Sequence, residues 1–167
     1  LLYSTVTAFL GFNVNNDEYK VMGLASYGEP VYAEAVRQML RLHDDGSYEL
    51  DLEYFDFMYS RERMYSDKFI ATFGQPRMEN DPVTKQHQDL AASVQLVLEE
   101  ALIHMAQCFY EQHGKIENLC LAGGVALNCT ANTSCLKKHR SNMSGSSRHT
   151  LTQGTGALRV YEQFIPL

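Results

Sequence analysis

An apolar run that ends in two adjacent glycines, NLCLAGGVALNCTAN from Asn118 to Asn132, is the stretch of this chain best suited to chemistry. Where a strand ends in Gly-Gly and enters a helix, unpaired backbone N–H groups meet the positive end of the helix dipole, and no side chain blocks close approach. An anionic ligand fits such a turn. No lysine follows to hold a phosphate, and the glycine spacing at Gly123 and Gly124 matches neither the phosphate-loop pattern nor the dinucleotide fingerprint. Two adjacent glycines equally suit a tight turn that packs a helix on a sheet, so spacing alone leaves both readings open.

The elements that must position this turn alternate along the chain. Leu1 to Leu10 reads as the end of a helix stopped by Gly11, and Asn13 to Pro30 as an acidic start, a short helical stretch and a Tyr27-Gly28 stop. Tyr32 to Leu42 is amphipathic, with Ala35, Met39 and Leu42 on one side and Asp44-Asp45-Gly46 ending it. Tyr48 to Leu52 alternates like a strand, and Asp56 to Asn80 is polar, aromatic and irregular apart from a helical turn at Lys68 to Phe73 before Gly74 and Pro76. Asp81-Pro82 supplies an N-cap and a first-turn proline for a long buried helix, on which Leu90, Val94, Val97, Ala101, Met105 and Cys108 recur until Gly114. Ile116 to Ala122 then reads as an interior strand feeding the Gly-Gly turn and a helix from Val125 to Lys138.

Composition bounds the function. At 167 residues with 45% hydrophobic content, the chain can bury a core as one domain or part of one, and its net charge of −6 argues against a nucleic-acid partner. Small anions remain compatible if backbone dipoles hold them. No apolar run approaches the roughly 20 residues that span a bilayer, so no membrane partner is expected. Cys108, Cys120, Cys129 and Cys135 fit neither a paired zinc motif nor a thioredoxin-type motif, and read as buried or inert reduced thiols of a cytoplasmic protein. The chain opens at Leu1 within an apolar pattern and is expected to be a fragment, a single partial domain over residues 1–167.

LAGGVALNCTAN, together with DEYKVMGLASYGEP (Asp17 to Pro30) and QHQDLAASVQ (Gln86 to Gln95), resembles the N-terminal domain of the carbamoyltransferases that decorate nodulation factors and antibiotics. Three separated motifs in one order are more specific than any one of them. The resemblance runs from Leu1 to about Leu136 and returns at GALRVYEQF from Gly156. It implies an α/β fold, part of an actin-like ATPase domain similar to sugar kinases and Hsp70 and RNase H-like in its core, with a mixed sheet and packed helices. It further implies ATP, carbamoyl phosphate and carbamoyl-adenylate as ligands, and a sugar or natural-product acceptor with a free hydroxyl. A separate adenylate-forming domain, C-terminal to this chain, would complete the enzyme.

Carried onto this sequence, the resemblance makes Gly123, Gly124 and Val125 the nucleotide-binding turn, with Asn128 one helical turn further along. It makes Lys20 and Gly23, with Glu18 and Gly28, a second matched motif. Each has a plainer reading: Glu18 and Lys20 as a solvated helix end, Tyr19 and Met22 as packing residues, Gly28 as a helix C-cap, and His87 as a hydrogen-bonded histidine rather than a metal ligand. The family's metal, iron or another divalent ion, is expected on a histidine pair upstream of Leu1 and an aspartate in an Asp-Ala-Gly segment, so no metal ligand is expected here and no catalytic base can be named.

That aspartate should fall where the chain reads RSNMSGSSRHTLTQGTG, from Arg140 to Gly156. This interval is serine-rich and unlike an interior strand. Suitable codons for Ser141 to Gly156, shifted by one base, can encode a valine-rich strand followed by Asp-Ala-Gly, so a pair of frame errors is the sharper explanation and a natural divergent loop the plainer one. Taken literally, the polypeptide is then expected to be inactive although its parent is an enzyme. A non-catalytic nucleotide-binding module of the same fold is the alternative function. A sugar-kinase relative would call for a catalytic aspartate and a second phosphate loop, neither of which is evident.

Overall fold

A computed structural model describes residues 1–60, 63–113, 119 and 121–142. The described residues form helices and one two-stranded antiparallel sheet, an α/β arrangement in which the larger mixed sheet implied above is not found. Most of the strand expected at Ile116 to Ala122, and the whole Met143 to Gly156 part of the divergent interval, lie outside the described residues. The chain divides into two compact units, one of Leu1–His43 with Ser47–Glu100 and another of Asp44–Gly46 with Ala101–Leu167.

Among the described residues, most of the buried apolar side chains lie in the first unit. Helix α1 (Leu2–Phe9) buries Val6 and Phe9, and ends before Gly11, whose φ of +70° reverses the chain as the sequence suggests. Its last carbonyls find donors far along the chain: the Arg77 backbone N–H reaches Phe9 O at 3.0 Å and Arg77 Nη1 reaches Leu10 O at 2.7 Å. Helix α2 (Glu18–Ala25) follows the short helical stretch that was expected. Helix α4 (Asp67–Phe73) starts where the Ser66 hydroxyl accepts the Phe69 N–H at 3.3 Å, and ends before Gly74 at φ +88°. It carries Phe69 and Phe73 into an aromatic cluster with Phe9, at centroid separations of 4.6 Å for Phe69–Phe73 and 4.8 Å for Phe9–Phe69.

Several boundaries differ from the sequence reading. Helix α3 spans Ala33–Met39 rather than reaching Leu42, because Leu40 turns extended (φ −132°, ψ 104°) to open strand β1 (Leu40–Leu42). That strand pairs with β2 (Tyr48–Leu50), Arg41 opposite Glu49, and sheet hydrogen bonds outweigh a weak helical preference at its end. The helix's buried positions are accordingly Ala33, Val36 and Met39, with Ala35 only half-buried. Beyond β2 the expected strand gives way at Leu52 to a 3-10 turn, Leu52–Tyr54, begun by the Asp51 carboxylate accepting the Glu53 N–H at 3.1 Å.

The long helix, α5, spans Lys85–Gln112, 28 residues or about 42 Å. It begins later than Asp81-Pro82. The Asp81 carboxylate instead accepts the Met78 N–H at 3.1 Å, and the helix is capped by the Thr84 N–H donating to His87 Nδ1 at 3.0 Å. A third-position side chain that reaches back to the N-cap amide is the reciprocal half of a capping box. Leu90, Val94, Val97 and Ala101 are buried as the periodicity predicts, whereas Met105 and Cys108 are half-buried and Leu102 and Ala106 take the interior.

This cap needs a neutral imidazole at Nδ1. Burial, and then the nearby Arg77 cation, hold His87 below its ordinary value of 6.5. A depressed folded-state value means the unfolded chain binds the proton more readily, so this stability is full above about pH 6.5 and is lost as pH falls toward the folded value. Thermal unfolding followed between pH 7.5 and 5.5 should therefore show a steeper acid decline for the native chain than for His87→Gln, whose amide can accept the same bond without titrating. Parallel curves would show that the imidazole does not cap the helix.

In the second unit, the tip of the hairpin lies on the end of α5. Gln112 Nε2 donates to Asp45 O at 2.9 Å and the Cys108 thiol to Asp44 O at 3.5 Å. Gly46, at φ +82°, closes that tip. Cys135 is buried, and burial pushes its thiol up to about 11. Cys108 is half-buried and also raised, first by desolvation, Cys129 is exposed, and Cys120 lies outside the described residues, so of the buried or inert thiols expected, burial is found at Cys135.

Candidate functional site

The Gly-Gly turn is built in the second unit from local backbone geometry. Gly123 sits at φ +98° and ψ 178°, a conformation open essentially to glycine alone. A 3-10 turn, Gly124–Leu127, follows, closed by the Ala126 N–H on Gly123 O at 3.0 Å and the Asn128 N–H on Val125 O at 2.9 Å. The first N–H groups of such a turn, those of Gly124 and Val125, have no acceptor within it. Gly124 differs from Gly123 in cause: a Cβ there would meet no described atom within 4 Å. No described neighbour demands a glycine there, and no described atom fills the space above it. Val125 and Leu127 are 42% and 61% exposed.

The single helix expected from Val125 is instead two pieces. Asn128 turns extended (φ −78°, ψ 90°) and ends the 3-10 turn, and helix α6 begins at Cys129 and runs to Asn142. The Asn128 side chain accounts for the break. Its Oδ1 accepts the Ala131 N–H at 3.0 Å, an N-cap, and the residue is only 8% exposed. Asn128 thus lies between two helical segments rather than one turn inside a helix. Asn132 braces the same junction, its Nδ2 donating to Ala126 O at 2.7 Å. Sequence reasoning named Asn128 but passed over Asn132, although an asparagine four residues on, in a helix of low apolar content, was a visible signal.

Lys20 and Gly23 stand on α2 in the first unit. Asp17, 3% exposed, organises the loop before that helix: its carboxylate accepts from Asn13 N at 3.1 Å, Asn13 Nδ2 at 3.2 Å, Asn16 Nδ2 at 3.2 Å and Lys20 Nζ at 2.9 Å. The Lys20 ammonium and the Asn13 amide together hold Asp17 below the usual carboxylate range. Lys20 is raised in turn, first by its bond to Asp17. Glu18 accepts the Asn15 N–H at 2.7 Å, and Asn15 adopts φ +64°. These residues are therefore a bonded loop-to-helix junction, more than a solvated helix end. A Cβ at Gly23 would meet no described atom within 4 Å, so α2 carries a glycine at a position where alanine would favour the helix by about 1 kcal/mol.

Gly28 is not a helix cap. Ser26 ends α2 in the right-handed region, and Gly28 is where the backbone of α5 comes against the loop: a Cβ would fall 2.8 Å from Asp89 N and closer still to the Gln88 carbonyl. Asp89 fastens this approach, its Oδ1 accepting the Glu29 N–H at 2.7 Å and Lys85 Nζ at 2.7 Å. The Glu29 amide first, then Lys85, lowers its carboxyl from the ordinary value. One turn on, Ser93 Oγ accepts the Tyr32 N–H at 3.0 Å and donates to Asp89 O at 2.6 Å. Two of the three motifs picked out in the sequence, at Asp17 to Pro30 and Gln86 to Gln95, are thus docked on each other within the first unit. The sequence signal for this joint was an aspartate and a serine, four residues apart, on an otherwise apolar helix face.

Among the described residues, no three His, Cys, Asp or Glu side chains stand together as metal ligands would, and His87 is engaged at Nδ1 in capping. The described residues therefore do not fit a metal. At Gly123 to Val125 the leading amides have no acceptor in the turn and no described atom crowds Gly124, a geometry compatible with an anion. No helix among them is long and apolar enough to cross a membrane.

Comparison with known proteins agrees with the motifs. The family model described as carbamoyltransferase N-terminus matches residues 1–141, ending where the serine-rich interval begins. The uncharacterized protein sll1178 of Synechocystis sp. is 45% identical over 140 residues, 83% of this chain and 22% of that protein. Nodulation protein NolNO of Sinorhizobium fredii is 38% identical over 141 residues, 82% of this chain and 18% of its own length. Nodulation protein NolO of Bradyrhizobium diazoefficiens is 38% identical over 133 residues, 79% and 22% of the two chains. The chain spans about a fifth of the length of these relatives. With its three motifs inside one family match that covers most of its length, the chain belongs to the carbamoyltransferase family, in the region described as the carbamoyltransferase N-terminus.

Proposed function

We propose that the chain is part of an ATP-dependent O-carbamoyltransferase of the cytoplasm, lying in an actin-like ATPase domain that passes a carbamoyl group to a hydroxyl of a sugar or natural-product acceptor. In this reading carbamoyl-adenylate, made from carbamoyl phosphate and ATP in a separate C-terminal domain, supplies an activated carbonyl joined to a good leaving group. The observation that carries the reading is the turn at Gly123 to Val125, in a chain of this family: a glycine-only conformation followed by open space and leading amides.

Each residue then has a defined task. Gly123 aims the turn, Gly124 keeps side-chain bulk away from the nucleotide, and the Gly124 and Val125 N–H groups donate to its phosphate oxygens. Asn128 caps α6 and so fixes the end of the turn. In the first unit, Gly23 leaves a face of α2 clear for a ligand, and Lys20, bonded to Asp17, holds the preceding loop. A metal of the parent enzyme would take its ligands elsewhere, and none of these tasks depends on it.

Titration of the chain with ATP tests the proposal. Gly123→Ala is expected to weaken binding about tenfold or more, because a non-glycine residue at this φ and ψ costs about 1 to 3 kcal/mol. Carbamoyl transfer to a hydroxyl acceptor by the full-length protein should fall in parallel. ATP binding unchanged by Gly123→Ala would sink the assignment of the turn.

A further inference from the structure

We propose that Asn132 is a positioning residue that holds the Gly124 and Val125 amides toward the ligand, an inference that rests on the nucleotide reading of the turn. Asn132 lies in the first turns of α6 and is 5% exposed. Its Nδ2 donates to Ala126 O at 2.7 Å and its backbone N–H donates to Asn128 O at 3.0 Å, while its Oδ1 is buried with no hydrogen-bond partner among the described residues. The two ends of this amide differ: one is spent on the turn and the other is left unsatisfied, which disfavours the folded state. If Asn132 served packing alone, a leucine of similar size would fill the space with no buried polar atom to leave unpaired. What leucine cannot do is donate to Ala126 O.

The turn needs that donor. It opens with two glycines, which lose more conformational freedom on ordering than any other residue, and its outer residues Val125 and Leu127 face solvent. Two backbone hydrogen bonds leading out of it, at Ala126 and Asn128, leave the Ala126 carbonyl near its end without a partner of its own in the turn. Asn132 supplies that partner from a regular helix capped independently by Asn128. The bond fixes the plane of the Ala126–Leu127 peptide against α6, and through the short 3-10 ladder it fixes which way the leading amides point. Without it the turn samples orientations that bind nothing, and apparent affinity falls by the fraction that remains competent.

The test compares Asn132→Leu and Asn132→Asp with the native chain. Asn132→Asp keeps the shape but replaces the donor by a carboxylate facing a carbonyl. Amide hydrogen exchange is followed at Ala126 and Asn128, whose N–H groups are bonded within the turn, and, as the internal reference, at Ala131 and Cys135 in α6, with ATP affinity measured by titration. In both variants the Ala126 and Asn128 amides are expected to exchange about tenfold faster or more, and ATP to bind about tenfold more weakly, while α6 exchange stays within about twofold of native. Unchanged exchange at Ala126 and Asn128 in both variants would overturn the proposal. So would a loss of protection spread equally through α6, which marks a role in the helix rather than in the turn. A native chain that does not bind ATP would overturn the nucleotide reading, and the exchange comparison would still decide whether Asn132 orients the turn.

Discussion

Replacing Gly28 by alanine should destabilise the first unit by about 3 kcal/mol, the upper end of the usual cost of overpacking. The reason is what the new methyl would meet. Its neighbours are the Gln88 carbonyl and the Asp89 amide, which are backbone atoms of a 28-residue helix and cannot turn aside as a side chain can. Either the loop lifts off α5, breaking the Glu29 to Asp89 bond, or the helix bends. For a unit of this size the loss corresponds to a fall in Tm of about 12 to 24 °C. Gly23→Ala is the internal control, because nothing described lies within 4 Å of its Cβ. There alanine should leave stability unchanged or raise it by up to about 1 kcal/mol. Thermal or urea unfolding of the two variants side by side decides the matter, and equal effects would mean that the approach at Gly28 does not constrain the fold.

Phe69→Ala carries the other large effect. Phe69 is fully buried between Phe9 and Phe73, with Tyr65 at 6.2 Å completing the cluster. Truncating such a ring costs about 3 to 5 kcal/mol, from lost burial and from the cavity left behind. Against a typical total stability of about 5 to 15 kcal/mol, that leaves little margin. Helix α4 is seven residues long and could not persist alone in water, so the loss should appear as unfolding of the aromatic cluster rather than as local fraying. Phe69→Leu keeps part of the volume and should cost clearly less. Urea unfolding gives both values, and a cost below about 1 kcal/mol for Phe69→Ala would show that the cluster does not hold the first unit together.

The two variants bear on function by different routes. Phe69 supports the whole unit that carries α2, whereas Gly28 fastens the Tyr27 to Pro30 loop to the first turns of α5. Gly23 and Lys20 lie on the helix that runs into that loop, so displacing it would move the second candidate ligand surface without touching it. Asp89 serves the same joint, and its lowered carboxyl favours the ionised form that accepts the Glu29 and Lys85 bonds.

Local physics was legible in the sequence. The spacing of Leu90, Val94, Val97 and Ala101 identified α5 because one buried face of a helix repeats every three to four residues whatever it packs against. Gly11 and Gly74 marked helix ends because positive φ is a property of the single residue, and both adopt it. The Gly-Gly turn could be recognised for the same reason, and the three motifs were enough to name the family. The tertiary structure decided what depends on partners far along the chain. Helix α3 stops at Met39 because residues 48 to 50 offer strand pairing, and Gly28 is a glycine because α5, some 60 residues later, lies against it. The two glycines of the turn separate only in three dimensions, Gly123 required by its backbone angles and Gly124 left in open space, and Asn132 acquires a role only once α6 brings its amide to Ala126. A periodic pattern records that a face is buried; the identity of the opposing atom, and the direction of a hydrogen bond to it, exist only after the chain has folded back on itself.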